Sequence, residues 1–208
     1  PPATFIPALE ESGFVVTLDK YIWQGVASWL RKRLDQGLPV VPISLNVSRV
    51  DILTCDVAEH MGALAAQYSL PPELMRIEIT ETAYTGESEA VDRLTAELHN
   101  RGFSTYMDDF GTGQSTLAML KNVNVDVIKL DRTFVPAGKA DERSTQIVSS
   151  MLGMAQSLHL PVVVEGIETE AQAQLLRQMG ARYAQGFLYY RPMPAAEFEA
   201  LLDSKVVD

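Results

Sequence analysis

Residues 104–109 read Ser104-Thr105-Tyr106-Met107-Asp108-Asp109. A short β-branched, aromatic and apolar run ends abruptly in carboxylates. Such a run predicts a strand, Ser104–Asp108, whose C-terminal end serves something other than packing. The same pattern recurs along the chain. Val40–Val47, Met75–Thr80, Val125–Leu130, Pro161–Glu165 and Arg182–Leu188 are also expected to be strands. Asn46, Glu78, Asp131, Glu165 and Gln185 stand at their C-terminal ends, as Asp108 does at its own. Stretches of helical period alternate with them: about Leu18–Gln36, Asp56–Gln67, Glu87–Arg101, Ser115–Leu120, Glu142–His159, Thr169–Met179 and Ala195–Asp203. Gly102 and Gly180 follow two of these stretches, as C-terminal caps do.

Alternating strands and helices predict parallel strands joined by right-handed crossovers. An open doubly wound sheet gathers its site mainly at one switch point. A TIM-type (β/α)8 barrel collects residues from all its strands onto one face. Six strand ends carrying polar residues favour the barrel. Such a barrel has eight strands and about 250 residues, and the 208 residues here offer about six βα units after roughly forty residues of loop and helix. The opening Pro1-Pro2-Ala3-Thr4-Phe5 does not read as a natural beginning. Residues 1–208 are therefore expected to form one domain lacking its first two strands, and a poor catalyst on its own.

Composition narrows the classes. Hydrophobic content of 47% and charged content of 21% describe an ordinary globular domain with a sizeable core. A net charge of −10 argues against a DNA or RNA polymer gripped by its backbone. It leaves room for a small phosphate ligand, because bound cations reverse the local sign. The single cysteine, Cys55, excludes an intrachain disulfide and fits a reducing compartment. No stretch approaches a membrane-spanning length, and nothing at the start resembles a signal peptide. The expected location is the cytoplasm, including the cytoplasmic part of a membrane-anchored protein.

The chemistry lies in Ser44-Leu45-Asn46-Val47-Ser48, Glu78-Ile79-Thr80-Glu81, Asp108-Asp109-Phe110-Gly111-Thr112-Gly113, Lys129-Leu130-Asp131, Glu165-Gly166-Ile167-Glu168 and Gln185-Gly186-Phe187. Carboxylate and amide oxygens, with no cysteine or histidine in these segments, indicate a hard cation such as Mg2+ or Mn2+. Clustered carboxylates repel one another unless cations compensate them. The adjacent Asp108 and Asp109 could let one carboxylate bridge two ions, and paired ions suit in-line displacement at phosphorus. Each segment also has a plainer reading. Asp108-Asp109 could be a turn or cap, Glu165 and Glu168 first-turn helix residues, and Gln185 part of a turn. Asn46-Val47-Ser48 is formally a glycosylation sequon without a secretory context. Asp109-Phe110-Gly111 lacks the glycine-rich and catalytic loops of a kinase. An isolated Lys129 inside an apolar strand is a poor candidate for a surface charge.

In their order and spacing these segments resemble the EAL family: an asparagine-serine motif, then ExTE, DDFGTG, KxD, EGxE and a QG near the C-terminus. Phe5-Ile6-Pro7-Ala8-Leu9-Glu10 is similar to the family segment that follows the EAL signature. The resemblance implies hydrolysis of cyclic di-GMP to linear pGpG with two Mg2+ or Mn2+ ions, Ca2+ inhibiting. It assigns Asn46, Glu78 and Asp108 to the first ion, and Asp109, Asp131 and Glu165 to the second. Lys129 matches the residue near the attacking water, orienting it or taking its proton. Glu81 matches the glutamate that braces the loop after the DDFG strand, and Glu168 and Gln185 match supporting residues. The implied partners are cyclic di-GMP, a second copy in a homodimer, and an upstream sensor or diguanylate cyclase domain. A non-catalytic receptor of the same fold is the competing reading, and receptors of this kind lose metal ligands. Three departures stand out: Gln114 where the family has tyrosine, Thr116 for its second serine, and Val164 for its usual alanine. The signature glutamate, a metal ligand, is expected upstream of Pro1.

Overall fold

A computed structural model describes residues 2–112, 124–135 and 142–204. The expected helix Ser115–Leu120 and the departures at Gln114 and Thr116 lie outside the described residues. Six strands follow one another in chain order through one sheet: β1 (Ile43–Val47), β2 (Met75–Thr80), β3 (Ser104–Phe110), β4 (Val127–Leu130), β5 (Val162–Val164) and β6 (Tyr183–Ala184). The pairs β1–β2, β3–β4, β4–β5 and β5–β6 are parallel, and nine helices among the described residues precede, separate or follow the strands. The α/β class and the strand–helix alternation are those the sequence predicts. By contact the chain divides into two compact units. One holds Pro1–Ile79, Gly86–Thr105 and Met193–Asp208; the other holds Thr80–Thr85 and Tyr106–Pro192.

In the first unit the long helix α2 (Val15–Asp35) buries Val15, Asp19, Trp23, Ala27 and Leu30. Those positions recur every three or four residues, so one stripe faces the interior. Strands β1 and β2 pair with Leu45 opposite Ile77 and Val47 opposite Ile79, all four buried. Alternation then puts Asn46 and Glu78, also paired, on the other face. The strand begins at Ile43 rather than Val40, because Pro42 has no N–H for the ladder and the Pro39 carbonyl accepts from Arg33 Nε at 2.9 Å. Three further helices complete the unit's middle: α3 (Arg49–Thr54), α4 (Val57–Gln67) and α6 (Ser88–Asn100). The C-terminal helix α9 (Ala195–Ser204) is tied to α2 by Trp29 Nε1 donating to Glu199 and by the Arg33–Asp203 ion pair.

Three helices escape the hydrophobic pattern. The first, α1 (Pro2–Ser12), occupies an opening expected to contain loop; Pro2 sits where helices tolerate proline and Ala8-Leu9-Glu10-Glu11 favour the conformation. The others, α3 and α5 (Glu81–Gly86), have six residues each, too few to show a period. A capping box gives α3 its start: Ser48 accepts from the Asp51 N–H, and the Asp51 carboxylate accepts from the Ser48 N–H.

The second unit holds β3 from Tyr106 onward and β4 to β6, together with α7 (Glu142–Ser157), which buries Val148, Leu152 and Ala155, and α8 (Glu170–Gln178), which buries Ala173 and Leu176. Thr169 and Gln172 form the capping box of α8. Strand β6 is much shorter than Arg182–Leu188. A Cβ on Gly186 would fall 2.2 Å from the Ile167 carbonyl oxygen, so the chain presses backbone to backbone and turns there instead of extending.

Leu30, toward the C-terminal end of the α2 stripe, is fully buried. Leu30→Ala is expected to destabilise the fold by about 2–5 kcal/mol, read as a lower urea midpoint with an unchanged slope.

Candidate metal centre

Strand β3 decides the geometry of the site. Along it the buried residues are Thr105, Met107 and then Phe110, so the two-residue alternation slips by one. Its pairing with β4 slips at the same place: Met107 opposes Ile128 and Phe110 opposes Leu130. Asp108 and Asp109 together therefore stand opposite the single residue Lys129, the signature of a β-bulge. Asp109 takes a φ of +55° to make it, a conformation that aspartate tolerates better than most non-glycine residues. A regular strand would send adjacent side chains to opposite faces. The bulge keeps both carboxylates away from the core.

Lys129 completes the arrangement. Its side chain is 7% exposed, and Nζ lies 2.9 Å from Asp108 Oδ1 and 2.8 Å from Glu165 Oε1. Glu165 is placed just beyond β5 by its own N–H, which donates to the Leu130 carbonyl at 3.0 Å. One oxygen from each of Asp108, Asp109 and Glu165 lies within 4.8 Å of the others. Oxygen donors around one hard divalent ion are spaced over the same range. Three carboxylates against one ammonium leave a net charge of −2, which a divalent cation would neutralise. By donor chemistry, spacing and charge these residues fit a hard divalent cation.

The loop after β3 is held by Glu81. Its carboxylate is fully buried and accepts from the Gly111 N–H at 2.6 Å. Gly111 has a φ of +98°, and a Cβ there would meet the Phe134 ring at 2.4 Å. Glycine is thus required twice over, by conformation and by space.

The comparisons with known proteins bear on this site. The model of the EAL domain matches residues 1–192. This chain belongs to the EAL domain family. The cyclic di-GMP phosphodiesterase RocR of Pseudomonas aeruginosa is 36% identical over 200 residues, covering 95% of this chain and 50% of that protein. A solved structure of the phosphodiesterase PaMucR, in complex with c-di-GMP, superimposes with a TM-score of 0.87 at 30% identity, covering 95% of this chain and 86% of that one. The EAL domain of Mycobacterium smegmatis DcpA superimposes with a TM-score of 0.83 at 31% identity, covering 92% and 86%. The chain spans between 25% and 50% of the length of the first three curated relatives it matches.

Within this EAL domain the remaining candidates are distributed as follows. Asp131 follows β4 directly and caps a short 3-10 turn (Arg132–Phe134), accepting from the Thr133 N–H at 2.8 Å. Burial pushes its carboxyl up, but hydrogen bonds from Thr133 and Arg132 and the charge of Arg132 outweigh this. The net displacement is downward, so Asp131 is an anion at neutral pH. Gln185 lies beyond β6 and is exposed; its N–H donates to Val164 at 2.9 Å and its carbonyl accepts from Ile167 at 3.1 Å. Glu168 is exposed and its N–H donates to Gln172 at 3.0 Å. In the first unit, Asn46 and Glu78 are paired neighbours near the ends of β1 and β2. Trp23 Nε1 donates to the Asn46 carbonyl at 3.0 Å.

Sequence reasoning missed the bulge, since no glycine marks it. It also missed Thr133 and Phe134 as the residues that shape the surroundings of Asp131 and Gly111. The available signals were the Asp-x-Thr spacing, typical of a turn-capping aspartate, and the glycine after Phe110.

Asp108→Asn removes one of the three clustered carboxylates and one of the ion-pair partners of Lys129. We expect Mn2+ affinity measured by calorimetry to fall on the order of tenfold or more; unchanged affinity would remove Asp108 from the metal site.

Proposed function

We propose that this chain is the catalytic module of a metal-dependent phosphodiesterase that opens cyclic di-GMP to linear pGpG. The observation that carries the proposal is the buried Lys129 ammonium held between Asp108 and Glu165, beside the bulged Asp109, in a chain of the EAL family. Family membership brings the substrate; RocR is named a cyclic di-GMP phosphodiesterase, and PaMucR was solved with the dinucleotide.

We read residues 1–208 as a single EAL-type domain. In this reading Asn46, Glu78 and Asp108 hold one Mg2+ or Mn2+ ion, and Asp109, Asp131 and Glu165 hold a second. The bound ions would supply Lewis-acid polarisation of the phosphate and a more acidic attacking water. Ca2+ would inhibit, because it takes more ligands at longer distances in looser geometry.

The protein's own groups do the positioning. Lys129 offers only donors, so its role is to hold the attacking water by hydrogen bonding, with Asp108 and Glu165 fixing Nζ. Glu81 holds the turn at Gly111 and with it the direction of the preceding carboxylates. Glu168 and Gln185 support the β5 and β6 ends. A homodimer and an upstream sensor or diguanylate cyclase domain complete the proposed partners. We place the protein in the cytoplasm, where the dinucleotide signal acts. No helix of the described residues is long and apolar enough to cross a membrane. A non-catalytic receptor is disfavoured because none of the ligand types at these positions has been lost.

Lys129→Ala in the full-length protein tests the assignment. Turnover of cyclic di-GMP is expected to fall about a hundredfold or more, while the dissociation constant stays within a few-fold, since the contribution is made in the transition state. An equal loss of affinity with turnover unchanged would make Lys129 a binding residue.

A further inference from the structure

A second pair of carboxylates lies in the first unit and has no part in the proposed reaction. Asp19 sits in the apolar stripe of α2, one turn before Trp23, and is 9% exposed. Asp51, in the first turn of α3, is fully buried. Its Oδ2 accepts from both the N–H and the hydroxyl of Ser48, at 2.9 and 2.6 Å. Its Oδ1 is closed off from solvent and has no hydrogen-bond partner in the structure. The Asp19 carboxyl adjoins that of Asp51. Two buried carboxylates in contact cannot both be ionised without a large cost, and an orphaned buried oxygen adds its own. A single proton relieves the repulsion: on Asp19 it is a donor to the Asp51 carboxylate.

We infer that Asp19 and Asp51 share one proton across the α2–α3 contact, and that this proton is a pH-sensitive clamp on the corner joining β1 to α3. The clamp acts on a defined place. Asp51 holds Ser48 through the capping box, and Ser48 stands two residues after Asn46. Helix α2 thus grips the corner at two points: Trp23 donates to the Asn46 carbonyl, and Asp19 holds the residue that holds Ser48. The clamp itself is independent of the phosphodiesterase reading. Its consequence for a metal ligand at Asn46 rests on that reading.

The surrounding charges set the working range. Burial, the hydrogen bond to Asp51, the charge of Asp51 and that of Glu10 on α1 push Asp19 up to about 7. Among the described residues, Lys20 on α2, Cys55 at the end of α3, and Asp56 and His60 at the start of α4 are further titratable groups of the elements that meet here. The Cys55 thiol is pushed up by burial first and then by Asp51, with Lys20 opposing. His60 is pushed down by burial and by Lys20, so its effect on stability runs opposite to that of the pair. The sign for Asp19 follows from its raised value. In the folded state it keeps its proton between about pH 4 and pH 7, where the unfolded chain has lost it. The stabilisation is therefore complete below about pH 4 and is lost progressively as pH rises through 7.

Asp19→Asn carries a permanent donor in place of the proton. Melting temperatures of the wild type and this variant, followed from pH 5 to pH 8, test the clamp, and His60 contributes equally to both. The wild type is expected to lose on the order of 5 °C relative to the variant over that range. Carboxyl carbon resonances of the wild type are expected to show Asp19 titrating near 7, with faster amide exchange at Ser48 and Asp51 above that pH. Parallel melting profiles, or Asp19 titrating near 4, would overturn the inference. Should the variant fail to fold, the wild-type titration alone decides: a midpoint near 7 supports the shared proton and one near 4 rules it out.

Discussion

A buried ammonium needs carboxylates around it, and carboxylates packed within 4.8 Å need cations among them. Lys129 and its neighbours meet both requirements with four side chains. The lysine extends from a strand in which its two neighbours, Ile128 and Leu130, are core, so its position is as fixed as theirs. Asp108 and Glu165 reach it from the strands on either side. The cluster still carries excess negative charge, and a divalent ion is the natural complement. Catalysis of the proposed kind needs a preformed site of this sort, because small misplacements of positioned groups are costly in rate.

Backbone irregularities, not side-chain choice alone, bring these groups together. The bulge in β3 turns two sequence neighbours toward one side. The turn that follows fits only because Gly111 leaves room for Phe134 and offers its N–H to Glu81. At the far strand, Gly186 lets Gln185 and Ile167 share a backbone hydrogen bond. Each device interrupts regular structure at a strand's C-terminal end, where a parallel α/β sheet collects its functional residues.

The first unit uses polar burial differently. Asp19 occupies a stripe position that helical spacing alone would give to leucine or alanine. Its partner Asp51 already serves as a capping residue. Polar groups in such places specify how one helix seats on another more than they add to stability. Here they act on a corner only two residues from Asn46.

The sequence by itself determined the α/β class, the six strands and the polar residue at the end of each, since apolar alternation and strand–helix rhythm are local properties. Motif order pointed to the EAL family for the same reason: motifs are strings. Short helices such as α3 and α5 escaped, being too brief for any period, and β1 and β6 were overestimated because an apolar run does not reveal where its hydrogen-bond partners stop. Only the tertiary structure decided that Asp108 and Asp109 point together, that Lys129 stands between Asp108 and Glu165, and that Asp19 meets Asp51. These are relations between residues distant in sequence, or between neighbours whose directions depend on the strand alongside. Their charges, burial and protonation follow from what surrounds them, and a linear string does not contain its surroundings.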